Sequence, residues 1–168
     1  MAGIFSFKCS CCEEQHEGSP SFGFKAPDPW LGQPDEIKEK GKASDDLCYY
    51  TDEDGTHYFA RVVIEIPIHG VSDPFMWGVW VSLSKESYEH YFETWDEPDL
   101  ERGYFGWFCN ALPYYESTHS LAADVYQQPD GARPHIFLHE IDHELYHDQA
   151  NGISIEKAQK IAEIAMHG

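Results

Sequence analysis

The sequence predicts an α+β fold: an antiparallel sheet of about five strands with flanking helices and an N-terminal Cys/His zinc knuckle. Three observations predict it. Between 58 and 84 the apolar residues alternate at period two. Tyr58, Ala60, Val62, Ile64, Ile66 and Ile68 share one side, and Phe75, Trp77, Val79, Val81 and Leu83 repeat the pattern after a loop with Gly70 and Pro74. Strict alternation of β-branched and aromatic residues marks strands with one buried face. From Ser84 the period lengthens, and Tyr88, Tyr91, Phe92 and Trp95 follow helical spacing. Near the start, Cys9 and Cys12 have the C-x-x-C spacing with His16 four residues on.

The remaining elements follow in order. Residues 4–12 read as a strand entering the knuckle. The stretch 13–42 is rich in Gly, Pro and charge, with a helical turn around 35–40. Residues 47–50 form a strand and 51–55 its turn into the main pair. The helix over 85–95 takes Ser84 as N-cap, and the acidic tract 96–101 is a loop. A short helix is expected over 105–112, stopped by Pro113, then strands over 121–125 and 135–138 on either side of a Gln128-Pro129-Asp130-Gly131 turn. A last helix begins at Ser154, with Ile155, Ala158, Ile161, Ala162 and Ala165 inward. The expected organisation is one domain over 1–168: knuckle at 1–16, irregular surface segment at 17–45, sheet and helices at 46–168.

Composition narrows the function classes. The 168 residues are 42% hydrophobic and 15% aromatic, a globular make-up. Thirty acidic residues against 11 basic give a net charge of −19. Such a field repels nucleic acid and anionic membrane, and suits a basic protein partner or a cation; it also serves solubility. There is no signal-peptide pattern, and no window approaches the ~20 apolar residues of a membrane span, so a cytoplasmic location is expected. The five cysteines, Cys9, Cys11, Cys12, Cys48 and Cys109, are odd in number and unevenly spaced, which fits thiols or metal ligands better than a disulfide framework.

Two constellations carry chemistry. Cys9, Cys12, His16 and Cys48 make a candidate structural zinc site of three thiolates and one imidazole, with Cys11 pointing away; the alternative is ordinary reduced thiols. Near the C-terminus H-E-x-x-H occurs twice, overlapping. His139 and His143 with Glu140 as general base, or His143 and His147 with Glu144, would make a zinc hydrolase if the stretch were helical, a downstream carboxylate such as Glu163 completing the set. A nucleophile elbow, a P-loop and a dinucleotide fingerprint are all absent from the sequence. Arg61 and Glu65 project from one side of a strand beside Trp80 of the next, a candidate binding surface or a polar face under a covering loop.

Several runs carry a resemblance: Phe7 to His16, Asp46-Leu47-Cys48, Arg61 to Ile68, Trp77 to Ser84, Phe105-Gly106-Trp107 through Pro113, Gln127 to Pro134, and Asp142-His143 through Ile153. In this order the chain resembles the bacterial family called domain of unknown function 2199, whose members have no assigned function. The resemblance implies a structural metal at Cys9, Cys12, His16 and Cys48. The chain departs from the family pattern at Glu13, where Gly is usual, at His139 and Glu140, which the pattern lacks, and at Glu144, where Pro is typical. The expected function is therefore a zinc-bearing, acidic protein-binding module, in its most concrete form an immunity-type inhibitor of a basic toxin. The rivals are the H-E-x-x-H hydrolase and a small-ligand-binding protein using Arg61, Glu65 and Trp80.

Overall fold

A computed structural model describes residues 5–9 and 15–167. A hairpin of β1 (Ser6–Lys8) and β2 (Gln15–Glu17) opens the chain, followed by β3 (Ser21–Gly23), α1 (Asp28–Leu31), α2 (Asp35–Lys40) and β4 (Lys42–Ala43). Then come β5 (Leu47–Asp52), β6 (Gly55–Ile66), β7 (Phe75–Leu83) and α3 (Lys85–Glu93). The chain continues through β8 (Gly103–Phe108), β9 (Ala122–Tyr126), β10 (His135–Leu138), α4 (Glu144–Asn151) and α5 (Ile155–His167).

The fold is α+β, but the sheet is not the open antiparallel sheet of about five strands that alternation predicts. Strands β6 to β10 run antiparallel in sequence and then close into a five-stranded ring, because β10 returns to lie parallel to β6. The length of β6 allows this. Along one edge its first half pairs with β5, from Gly55 to Ala60, and its second half meets β10 at Val63; the other edge is taken by β7. The seam consists of His135 opposite Val63, with Val63 N–H donating to the Pro134 carbonyl at 2.8 Å. Strands β5 and β4 flank the ring, and β3 lies parallel to β7. Ring closure leaves β6 to β10 with few free edge groups.

The ring interior is the core. Val62, Ile64, Trp77, Val79, Val125 and Ile136 are buried to within about one percent, and removal of this apolar area from water is the main stabilising term. The hairpin residues Phe5, Phe7 and Cys9, with Leu145 of α4 and Ala158, Ile161 and Ala162 of α5, join the same core. Helix α3 starts as predicted: Ser84 Oγ accepts the Ser87 N–H at 3.1 Å. Ser154 Oγ accepts the Lys157 N–H at 3.1 Å in the same way. Ile155, expected on the inner face of α5, is exposed.

Two other expectations are corrected. Residues 105–112 are not a helix: 103–108 form β8, with Tyr104, Gly106 and Phe108 inward and Phe105 and Trp107 outward. Aromatic residues on both faces hide the alternation. The segment 17–45 is not irregular throughout, since β3, α1, α2 and β4 all lie in it. Among the described residues no helix is long and apolar enough to cross a membrane.

Candidate functional site: the outer wall of the ring

Alternation that fills the ring also builds its outside. On β6 the outward residues are His57, Phe59, Arg61, Val63 and Glu65, and the opposing outward residues of β7 are Ser82, Trp80, Gly78 and Met76. This half of the wall is covered. The segment from β3 to α2 crosses it as a strap and encloses a second, smaller core of Cys48, Tyr50, Phe59, Trp80 and Cys109, with Phe24, Trp30 and Ile37 above. Polar groups fix the strap in place. Phe24 N–H donates to the Gly78 carbonyl at 2.9 Å, and Trp80 Nε1–H donates to the Phe24 carbonyl at 2.9 Å. The buried Asn110 side chain accepts Trp80 N–H at 2.8 Å and donates to the Ala26 carbonyl at 3.1 Å. At the crossing, a Cβ on Gly23 would lie 2.9 Å from Arg61 Nη2, so a larger residue there would push the guanidinium aside.

The other half is bare. Phe105 and Trp107 of β8 and Phe137 of β10 point outward and are 45%, 47% and 52% exposed. Phe105 and Trp107 meet edge to face at 4.9 Å, Phe105 meets His139 at 5.4 Å, and Phe137 meets Tyr126 at 6.0 Å. Between the rings stands Asp124, opposite Phe105 on one side and Phe137 on the other. Where the bare and covered halves meet lies a groove of about 410 Å³ lined by Tyr50, His57, Phe59, Trp107, Cys109 and His119.

Four carboxylates edge this wall, each held by a histidine: Asp52 by His57 at 2.9 Å, Asp28 by His119 at 2.7 Å, Glu65 by His135 at 3.1 Å and Asp124 by His139 at 2.8 Å. The hydrogen bond from His57 holds the Asp52 carboxyl below its usual value. The groove does not contain an activated thiol. Burial pushes Cys109 up to about 12, and the thiol donates to the Trp107 carbonyl at 3.2 Å. Burial, reinforced by Cys109, also pushes Cys48 up to about 12.

The residues singled out by sequence are scattered. Cys9 lies in the main core, whereas Cys48 lies in the second core under the strap, beside Cys109, so these two thiols of the expected zinc set belong to separate clusters. Cys12 lies outside the described residues, as does Cys11. Arg61 and Trp80 are not an open surface. Trp80 is fully buried beneath the strap, Arg61 donates to the Asp45 carbonyl at 3.3 Å, and burial lowers the Arg61 pKa. Glu65 pairs with His135 instead.

Neither H-E-x-x-H pair forms a metal face. The chain turns through 139–143 and α4 begins only at Glu144, so His139 and Glu140 are not helical. His143 caps the helix with both ring nitrogens occupied: Nδ1 accepts the Leu145 N–H at 3.0 Å and Nε2 meets the Glu116 carbonyl at 2.6 Å. His147 pairs with Asp142 and His139 with Asp124. Glu144 is held by Lys157 at 2.7 Å. Lys157 also donates to the buried Asp148 at 2.8 Å, and Asp148 in turn accepts Tyr115 O–H at 2.6 Å. Glu163 lies within 3.3 Å of Gln159 Nε2 on α5. Among the described residues no group of three or more His, Cys, Asp or Glu side chains is placed to hold a metal ion.

The aromatic wall is what sequence reading missed. Its signal was the run Tyr104-Phe105-Gly106-Trp107-Phe108 itself, more aromatic than one buried face can use. Residues 8–153 match the family model described as an uncharacterized protein conserved in bacteria, DUF2199. The chain belongs to that family. No curated protein and no solved structure matches it.

Proposed function

We propose that the protein is a binding module whose bare outer wall receives an arginine-rich segment of a basic protein, the role an immunity-type inhibitor of a basic toxin would fill. The observation that carries this reading is the exposed Phe105–Trp107–Phe137 face with Asp124 set between its rings. Such a face suits a guanidinium, which stacks on aromatic rings and pairs with carboxylates through the same planar group. The net charge of −19 would speed encounter with a basic partner and make association salt-sensitive. Exposed large aromatics in a contiguous patch mark interaction sites rather than random surface.

The test uses a defined arginine-rich peptide, titrated while tryptophan fluorescence is followed. Binding is expected at low salt, weakening as salt rises. Trp107→Ala with Phe137→Ala is expected to weaken it at least about thirtyfold, the effect of losing a central aromatic anchor. Phe92→Ala is the control: it alters a separate groove of about 360 Å³ beside α3, lined by Leu47, Tyr49, Tyr88 and Glu89 among others, and should leave binding unchanged. Equal binding by the wall variant, or no binding at low salt, would overturn the reading.

A further inference from the structure

Helix α3 and strand β5 form the two sides of a groove of about 360 Å³. Tyr88 and Phe92 stand one turn apart on the helix, so their rings follow one another along one face. Leu47 and Tyr49, two apart on β5, share a face of the strand and supply the other side. Tyr58 of β6 packs against both sides, with its ring centroid 4.8 Å from that of Tyr88 and 6.5 Å from that of Tyr49. Phe92 is 61% exposed. The charged residues at the groove are Glu89 and Glu93 of α3 and Lys42 of β4, which lies directly opposite Tyr49. Each glutamate follows one of the helix aromatics, so the carboxylates make a second row, also one turn apart, beside the rings. Lys85 lies 3.9 Å from Glu89, and among the described residues no cation pairs with Glu93.

We propose that this groove is an aromatic cage for a quaternary ammonium group, the head of a small organic cation such as choline. Tyr49, Tyr88 and Phe92 supply the rings, and Glu93 with Glu89 supplies the opposite charge. A quaternary ammonium spreads its charge over methyl groups and has no N–H to satisfy, so aromatic rings can hold it where a primary ammonium would lose hydrogen bonds to water. The volume lies within the range of small-molecule sites, about 300–1,000 Å³. A neutral apolar ligand fits less well, because it would strip water from the glutamates and return no charge. Two glutamates against one lysine leave the groove net negative, within a chain whose net charge is −19. That field disfavours a ligand with its own carboxylate, so a plain cation fits better than a betaine. Lys42 opposes the cation and limits its affinity. The groove shares no residue with the outer wall, and the proposal is independent of the reading given for that wall.

The experiment titrates the full chain with choline at constant ionic strength and follows the methyl proton resonance of the ligand by NMR. A saturable upfield shift is expected, because the methyl groups enter the ring currents of the cage. The neutral isostere 3,3-dimethylbutan-1-ol should bind at least about fivefold more weakly, since it keeps the shape and loses the cation–π attraction. Phe92→Leu combined with Glu93→Gln should weaken choline by at least about fivefold. Both side chains are exposed, so this variant is expected to fold, which far-UV circular dichroism checks. Lys42→Gln should tighten choline binding, a change of sign that general loss of structure would not give. Trp107→Ala with Phe137→Ala should bind choline as the wild type does, which separates this site from the outer wall. No saturable shift, equal binding of the neutral isostere, tighter binding of glycine betaine than of choline, wild-type affinity in the Phe92 and Glu93 variant, or loss of choline binding in the outer-wall variant would each overturn the proposal.

Discussion

The two halves of the outer wall are built from similar residues and treated in opposite ways. On β6 and β7 a tryptophan and a phenylalanine point outward and are sealed beneath the strap, with Trp80 fully enclosed and its indole N–H bonded. On β8 and β10 a tryptophan and two phenylalanines point outward, and nothing among the described residues covers them. The chain spends residues 21–40 enclosing one half, with a buried asparagine to hold the cover in place. The difference teaches that outward aromatics are not in themselves a binding surface. Those with a cover stabilise the fold, and those left without one are available to a partner.

Substitution of the two tryptophans gives the widest separation. Trp80→Ala should destabilise the protein by about 3–5 kcal/mol, the range for emptying a large buried aromatic site. Trp107→Ala should stay within about 0.5 kcal/mol, as exposed positions do. Urea unfolding of both variants measures this, and similar losses would erase the distinction between the halves. Next comes Asn110→Ala. It leaves the Trp80 N–H and the Ala26 carbonyl unpaired beneath the strap, and should lower stability by about 1–3 kcal/mol in the same assay.

Thiol labelling sharpens the comparison without mutation. With Cys109 and Cys48 near 12, roughly one thiol in ten thousand is ionised at pH 8, so their alkylation in the folded protein should be slow and should rise with pH through the whole accessible range. Fast labelling of either at neutral pH would show that the strap opens. The smallest effect lies away from the wall. Hydrogen bonding from Lys157 lowers the Glu144 pKa below its usual 4.5, so the pair contributes stability above that value and loses it as pH falls through the lower folded value. Glu144 is half exposed, so the contribution is at most about 0.5–1 kcal/mol. Glu144→Gln should flatten the acid limb of the stability profile by that amount, read from urea midpoints between about pH 5 and pH 3.

Much of the fold was legible because it is local. Period-two alternation located β6 and β7, helical spacing with a serine cap located α3, and Ser154 located the start of α5. Ring closure was not legible: nothing in β6 and β10 taken separately announces that they will pair in parallel, and that contact joins residues about seventy positions apart. Strand β8 was misread as a helix because aromatics on both faces erase the period. The site suffered for the same reason. The odd-numbered face of β6 pointed to the correct wall, yet Arg61 and Trp80 lie on its covered half, and the exposed half belongs to the misread strand. The H-E-x-x-H match failed on geometry that spacing cannot convey, since the helix starts one residue after His143.

The seam between β6 and β10 bears on how the molecule breathes. A single register pair closes the ring, whereas β10 is held to β9 by four and β6 to β7 by nine. Parting the seam leaves the antiparallel run from β6 to β10 intact, so it belongs to the cheap, sub-global openings that precede unfolding. The Val63 amide should then exchange with deuterium well before its neighbours on the β7 side. Each such opening presents a bare β10 edge beside an uncovered aromatic face, which is a template for strand exchange with a second chain. Prolonged storage at high concentration would therefore reveal itself first as β10-swapped dimers, not as unfolded monomer.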